Sequence, residues 1–191
     1  MTKNQANLTR CQWVSQEPIY IEYHDKEWGK PVFEDQQLFE CLLLEGAQAG
    51  LNWITVLKKR ENYRQAFHQF DPKKIATMSD EALESQLQNP GIIRNRLKVF
   101  GFRKNALAYL KLIESQSFSE YLWSFVDGQP VINRWRTLSE VPANTEQSDL
   151  MSKSLKKAGF TFVGTTICYA FMQAVGMVND HTQDCFCYNA K

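Results

Sequence analysis

Four residues near the two ends of the chain have the types and spacing of a metal site: Cys11 and His24 as Cys-x12-His, then His181 and Cys185 as His-x3-Cys. Two thiolates and two imidazoles suit zinc, because soft sulfur and borderline nitrogen match that ion and four protein ligands leave no position for water. An ion held this way would be structural and would tie the N-terminal segment to the C-terminal one. His181 and Cys185 stand one helical turn apart, so both can face one ion. Cys187 competes with Cys185 for the role, and a split pattern matches by chance more often than a double Cys-x2-Cys does. Cys41 and Cys168 sit inside apolar helical runs and read as core.

Glu45 is the second candidate. Three leucines, Leu42 to Leu44, precede it and small residues follow it, which suggests an acid at the edge of the core. Buried carboxylates are uncommon unless paired or functional; the alternative is a cap or ion pair at a helix end. Around the same region lie Trp13, Tyr20, Tyr23, Trp28 and Trp53, whose faces can stack on a planar ligand or pack a core. A third signal is the segment Lys156 to Thr166, with Gly159 and Gly164. It reads as helix, tight turn, helix, a form that can offer backbone N–H groups to a phosphate, with Lys153, Lys156 and Lys157 beside it. An ordinary helical hairpin with a solvated lysine face has the same pattern.

The elements that must position these residues are helical. Asp35 caps a run over 36–48; Asn52 starts a second near 53–67; Asp71-Pro72 and Ser79-Asp80-Glu81 open two short ones. A long pattern covers 94–115 and a shorter one 117–126. A loop follows over 133–146, then helices over 148–157 and 165–175, with Gly159 as a left-handed cap. Residues 11–35 read as an irregular arm. No period-2 strand of useful length is evident, so the fold class is all-α. At 191 residues, residues 11–188 form one domain behind a flexible tail, 1–10. A net charge of +1 neither predicts nor excludes a nucleic-acid partner. The absence of an apolar signal core, of any 20-residue apolar run and of a regular Cys framework points to a cytoplasmic protein with free or metal-bound thiols.

Several stretches together resemble one family. Cys11 to Val14, Tyr23 to Gly29, Leu44 to Trp53, Phe162 to Tyr169 and Asn179-Asp180-His181 look like the bacterial 3-methyladenine DNA glycosylase I family, in order and across residues 11–187. The resemblance implies a helix-hairpin-helix glycosylase fold and hydrolytic release of 3-methyladenine from alkylated double-stranded DNA without strand cleavage. It also implies structural zinc on Cys11, His24, His181 and Cys185. It gives Glu45 and Tyr23 hydrogen bonds to the extruded base, Trp53 a stacking role, and Trp13 and Trp28 the pocket walls. Glu45 is the catalytic candidate, chiefly through recognition; Gly164, Thr165, Thr166, Lys156 and Lys157 are the DNA-binding set. At Ala47 and Asn52 the chain departs from the polar residues the family commonly carries. The resemblance further implies that the Asp many such glycosylases place after the hairpin is lacking; Asp180 and Asp184 fall there and read as His-orienting or turn-capping groups.

The lysines lie in basic clusters without the apolar setting that lowers an amine pKa, so no Schiff-base nucleophile is expected. Nothing demands a protein partner, and a monomer is expected. Two other functions remain: a zinc-stabilised DNA-binding module without catalysis, and a thiol redox enzyme using Cys185 and Cys187.

Overall fold

The computed structural model describes residues 8–188, and among them ten α-helices are joined by short links, with one pair of two-residue strands. The mostly helical expectation holds. The central helix, α2 (Asp35–Gln48), buries Leu38, Phe39 and the run Leu42 to Ala47. A helix apolar on nearly every side belongs inside a bundle rather than on its surface. Its start is fixed twice: Glu34 accepts from the Gln37 N–H, and the Asp35 carboxylate accepts from the Phe118 and Ser119 N–H groups at 3.0 and 2.8 Å. The second pair docks the start of α8 (Phe118–Trp123) onto α2.

Helices α5 (Pro72–Ala76), α6 (Asp80–Gln86) and α7 (Arg96–Leu112) pack on one side; α9 (Glu146–Lys157) and α10 (Thr165–Ala174) close the other. Phe39, Phe67, Phe70, Phe102, Phe118, Tyr169 and Phe171 fill the main core. Each such side chain contributes about 1.5–3 kcal/mol by leaving water. A second, smaller cluster gathers Cys11, Tyr23, Trp28, Leu57, Ala174, Cys185 and Cys187, so the two ends of the chain share a core of their own.

Several boundaries differ from the sequence expectation. The arm is not wholly irregular: α1 (Pro18–Lys26) lies within it, with Pro18 at the first turn, where a missing N–H costs nothing. The expected helix over 53–67 is two pieces, α3 (Trp53–Leu57) and α4 (Arg60–Ala66). Helix α9 begins two residues before Ser148, because Thr145 and Ser148 form a reciprocal capping box. Strands β1 (Val131–Ile132) and β2 (Val178–Asn179) pair in parallel, through Val131 N–H to Met177 O at 2.9 Å and Asn133 N–H to Asn179 O at 3.1 Å. They hold the loop over 133–146 beside the segment that carries His181.

Gly176 is required where the chain turns from α10 into β2. Its φ is +69°, and a Cβ there would stand 2.4 Å from the Lys30 carbonyl carbon. Of the expected tail, residues 1–7 lie outside the described residues. Thr9 and Arg10 are tied down: Thr9 O accepts from the Phe186 N–H at 2.9 Å, and Arg10 grips Asp25 at 2.8 and 2.7 Å. No helix among the described residues is long and apolar enough to cross a membrane.

Candidate functional site

Cys11, His24, His181 and Cys185 come together as the spacing suggested. All four are buried, and their ligand atoms lie within 4.8 Å of one another, close enough to hold one metal ion. The Cys11 Sγ is 3.4 Å from His181 Nδ1, and Cys185 Sγ is 3.4 Å from His24 Nε2 and 3.5 Å from His181 Nδ1. Each imidazole uses its other nitrogen elsewhere. His24 Nδ1 meets Asp25 at 2.8 Å, and His181 Nε2 lies 3.2 Å from the Trp28 carbonyl, so both rings are oriented and their tautomers set. Asp25 is itself held by Arg10, a supporting pair the sequence did not single out although Asp25 follows His24 directly.

The ambiguity between Cys185 and Cys187 resolves in geometry. Cys185 faces both imidazoles, whereas the Cys187 N–H points at the Cys185 sulfur from 3.4 Å and its own thiol lies toward the His24 carbonyl. The hydrogen bonds from Cys11, then Cys187, pull the Cys185 thiol strongly toward thiolate. A second group, His24, Asp25 and Cys187, is also close enough for a metal, but it lacks His181 and uses the carboxylate that orients His24.

Beside this cluster is a cavity of about 190 Å³ lined by Trp13, Tyr20, Tyr23, Trp28, Glu45 and Trp53, with Gln48, Leu138, Gln173, Asp180 and others. It is smaller than the ~300–1,000 Å³ of common ligand pockets, a size for one small ring system. Helix α1 supplies Tyr20 and Tyr23, α2 supplies Glu45 and Gln48, and α3 begins at Trp53. The aromatic wall is continuous. Trp13 meets Trp28 and Tyr20 at centroid distances of 5.0 Å each, and Tyr23 meets Trp53 at 5.4 Å.

Glu45 is 3% exposed, and burial alone pushes its carboxyl up to about 8. No ion pair forms at it among the described residues, which argues against the cap or salt-bridge alternative. Its Oε2 is buried without a hydrogen-bond partner, as are Trp13 Nε1 and Trp53 Nε1. An orphaned buried polar atom costs about 1–3 kcal/mol. Three around one cavity, one acceptor and two donors, mark a place that a polar ligand completes. Burial first, then the charge of Glu45, raises the pKa of Tyr23 and of Tyr20. Ala47 is buried and Asn52 precedes α3 with no side-chain cap; neither lines the cavity. The Lys98 ammonium holds the C-terminal end of α2 just after Glu45, donating to Ala47 O and Ala49 O at 2.8 and 2.7 Å.

The turn between α9 and α10 has the expected hairpin form. The Phe160 N–H reaches Leu155 O and the Gly159 N–H reaches Lys156 O, both at 3.0 Å, with Gly159 at φ +100°: the paired bonds and left-handed residue that end a helix sharply. Asn105 on α7 holds Thr161 by both backbone groups, and Ser152 donates to Val163 O. Lys156, Lys157 and Thr166 are exposed, and a Cβ at Gly164 would meet nothing within 4 Å, so the start of α10 is open to an approaching chain. The Thr165 hydroxyl is already engaged by Asp149 and Ser148, leaving its backbone N–H as the group it can offer.

Sequence reasoning missed several cavity residues. Leu138 and Val141 come from a loop with no periodic signal, and Gln48 and Gln173 carried none of their own. Asp180 was expected to orient a histidine or cap a turn. It does neither: its carboxylate lies in the cavity wall and accepts four side-chain hydrogen bonds, while Asp184 is exposed.

The family model for methyladenine glycosylase matches residues 13–188. The chain is 57% identical over 182 residues to DNA-3-methyladenine glycosylase 1 of Escherichia coli (strain K12), covering 95% of this chain and 97% of that one. A crystal structure of 3-methyladenine DNA glycosylase I superposes with a TM-score of 0.93 at 57% identity, covering 95% of this chain and all of the other. The Staphylococcus aureus 3-methyladenine DNA glycosylase I, whose structure concerns recognition of 3-methyladenine, gives 0.92 at 34% identity, covering 96% of this chain and 98% of that one.

Proposed function

The chain belongs to the methyladenine glycosylase family, and we propose that it repairs alkylated DNA by releasing 3-methyladenine hydrolytically from the duplex. The observation that carries this reading is the orphaned, buried carboxyl of Glu45 inside an aromatic cavity sized for one base. An extruded base costs a few kcal/mol to unstack and unpair, and ring stacking with edge hydrogen bonds must offset that. Trp53 stacks, Tyr23 and Glu45 bind the edge, and Trp13 and Trp28 wall the cavity. Of the orphaned set, the Glu45 acceptor suits the exocyclic amine of adenine.

Methylation at N3 makes the base cationic, so its leaving needs no proton. The bonding pair of the N-glycosidic bond moves onto the ring nitrogen and neutralises the base, the sugar passes through an oxocarbenium-like state, and water adds at the anomeric carbon and loses a proton. Glu45 opposes the positive ring and so assists through recognition. No lysine lines the cavity among the described residues, which favours hydrolysis without a covalent intermediate or strand cleavage. The α9–α10 turn acts as a helix-hairpin-helix grip, with backbone N–H groups at Gly164, Thr165 and Thr166 and the charges of Lys156 and Lys157 directed at phosphates.

The Cys11, His24, His181 and Cys185 set fits zinc. Bonds of about 2.3 Å to sulfur and about 2.0–2.1 Å to nitrogen at tetrahedral angles place S and N about 3.5 Å apart; three of the four S to N separations here are 3.4–3.5 Å. Four protein ligands make the ion a structural tie. The redox alternative loses its footing, since Cys185 lies against both imidazoles and Cys185 and Cys187 are both buried, away from a dissolved oxidant or substrate.

The test is to incubate the protein with methylated duplex DNA, quantify free 3-methyladenine, and assay zinc on the same sample. Base release by the wild type and its loss in Glu45→Gln support the reading. Full activity in both Glu45→Gln and Trp53→Ala would remove the cavity from it, and intact DNA binding without base release would favour a non-catalytic binding module.

A further inference from the structure

Helix α7 carries three buried residues, Lys98, Gly101 and Asn105, spaced to share one face, and each meets a different part of the site. Lys98 Nζ holds the C-terminal end of α2, just after Glu45. Asn105 clamps the α9–α10 turn at Thr161: its Oδ1 accepts from the Thr161 N–H at 2.7 Å and from the Thr161 hydroxyl at 3.1 Å, and its Nδ2 donates to Thr161 O at 3.1 Å. Between these two grips, at Gly101, lies the side chain of Phe162. A Cβ on Gly101 would stand 3.1 Å from Phe162 Cε2, and a Cβ on Gly46, the residue after Glu45 on α2, would stand 3.1 Å from Phe162 Cβ. Glycine is disfavoured inside a helix, yet here one from each of two helices makes the seat for a single ring.

Phe162 has φ +58°, a left-handed conformation that a bulky residue rarely adopts and a glycine would take without strain. Its neighbours leave it no other course. Thr161 is held by Asn105, and the Val163 carbonyl accepts from the Ser152 hydroxyl at 2.6 Å. The turn therefore keeps a strained ring pressed between α2 and α7, two residues before Gly164, where the start of α10 lies open.

We propose that Phe162 is a positioning residue for base release: seated against Gly46 and Gly101, it fixes the spacing between the phosphate-gripping turn and Glu45. An extruded nucleotide must place its phosphate on the turn and its base against Glu45 at once, and a narrow range of spacings satisfies both. Phe162 does not line the cavity and acts through the two elements it separates. This rests on the base-excision reading of the cavity.

The test uses the full chain and Phe162→Gly, which empties the seat while accommodating the left-handed turn, with Phe162→Leu to refill it. Four quantities are measured: the single-turnover rate of base release from methylated duplex, the Kd for that duplex, the Kd for free 3-methyladenine by quenching of tryptophan fluorescence, and the thermal midpoint. In Phe162→Gly the rate falls on the order of a hundredfold, as for a misplacement of about 1 Å, while both Kd values change by less than about threefold. Phe162→Leu recovers most of the rate. Gly46→Ala, which pushes the turn away from α2, slows the wild type but slows Phe162→Gly no further, because the opposing Cβ is gone. An unchanged rate in Phe162→Gly would overturn the assignment, as would a joint loss of rate, both affinities and thermal midpoint, which is the mark of ordinary packing. Should Phe162→Gly fail to fold, Gly46→Ala decides: a full rate there overturns the proposal, and a slow rate with both affinities kept supports it. A wild type that releases 3-methyladenine while these outcomes fail loses only the role of Phe162; one that releases no base loses the base-excision reading as well.

Discussion

Replacing Glu45 by Gln is expected to stabilise the protein while removing its activity, and the size of the gain follows from the burial of one carboxyl. In the folded chain that group titrates at about 8, against an ordinary value of 4.5. The sign follows from proton binding: between those values the folded state keeps a proton that the unfolded state has released, so stability falls as pH rises through the window. At about 1.4 kcal/mol per pH unit, the loss reaches about 3 kcal/mol at pH 7 and levels near 5 kcal/mol above pH 8. Glutamine fills the same space with no proton to lose. Urea midpoints of the wild type and Glu45→Gln, compared at a series of pH values, should coincide near pH 4.5 and separate steadily up to pH 8, the variant being the more stable. Taking the difference cancels groups common to both proteins, the Cys and His cluster included. A gap that did not vary with pH, or a wild type more stable at pH 7, would refute the claim that the carboxyl is held neutral by burial.

The same titration should appear in catalysis: kcat/KM on methylated DNA rises with pH and levels near 8, and Glu45→Gln lowers it with no such rise. Trp53→Ala should reduce base release at least tenfold by losing a stacking contact of about 1–3 kcal/mol, measured under single turnover. Chelation of the metal, or Cys185→Ser, should lower the thermal midpoint sharply and change the near-UV signal of the arm tryptophans, with one zinc per wild-type chain by elemental analysis; an unchanged midpoint after verified metal loss would refute the structural role. Lys98→Met leaves Ala47 O and Ala49 O without their donor and should cost on the order of 2–4 kcal/mol in denaturant unfolding, with partial recovery in Lys98→Arg.

What was legible in the sequence depended on whether a signal was local. The α2 run announces itself through a cap and consecutive leucines, and Gly159 marks the end of α9 by itself. Helix α1 escaped notice because it buries only Tyr23 and His24 and offers no apolar stripe. The break between α3 and α4 falls at Lys58-Lys59, with no glycine or proline to announce it. The metal candidates were readable because Cys and His are rare and their chemistry is narrow. Asp180 was not, since its hydrogen-bond partners come from two separate segments, Asn133 and Trp135 from the loop and Tyr169 and Gln173 from α10. A residue type tells what a group can do, and its partners decide whether it does so.

The metal cluster and the cavity are less separate than their chemistries suggest. Cys11, Trp28 and Thr182 line the cavity while belonging to the cluster or touching it. His181 packs edge-on against the Trp28 ring at 4.6 Å and contacts its carbonyl, and His24 adjoins Tyr23 on α1. A Cβ on Gly29 would stand 3.1 Å from His181 Nε2, and Gly29 itself has φ +74°, so the backbone has been drawn in close where arm meets imidazole. With a metal bound, one ligand bond would therefore fix the position of an aromatic wall, and the wall must hold a flat base to within a fraction of an ångström for stacking and edge contacts to act together. An ion with no open coordination position can control the rate in this way without touching substrate: losing it would release Tyr23 and Trp28 first, and Glu45 would then face water in place of a base.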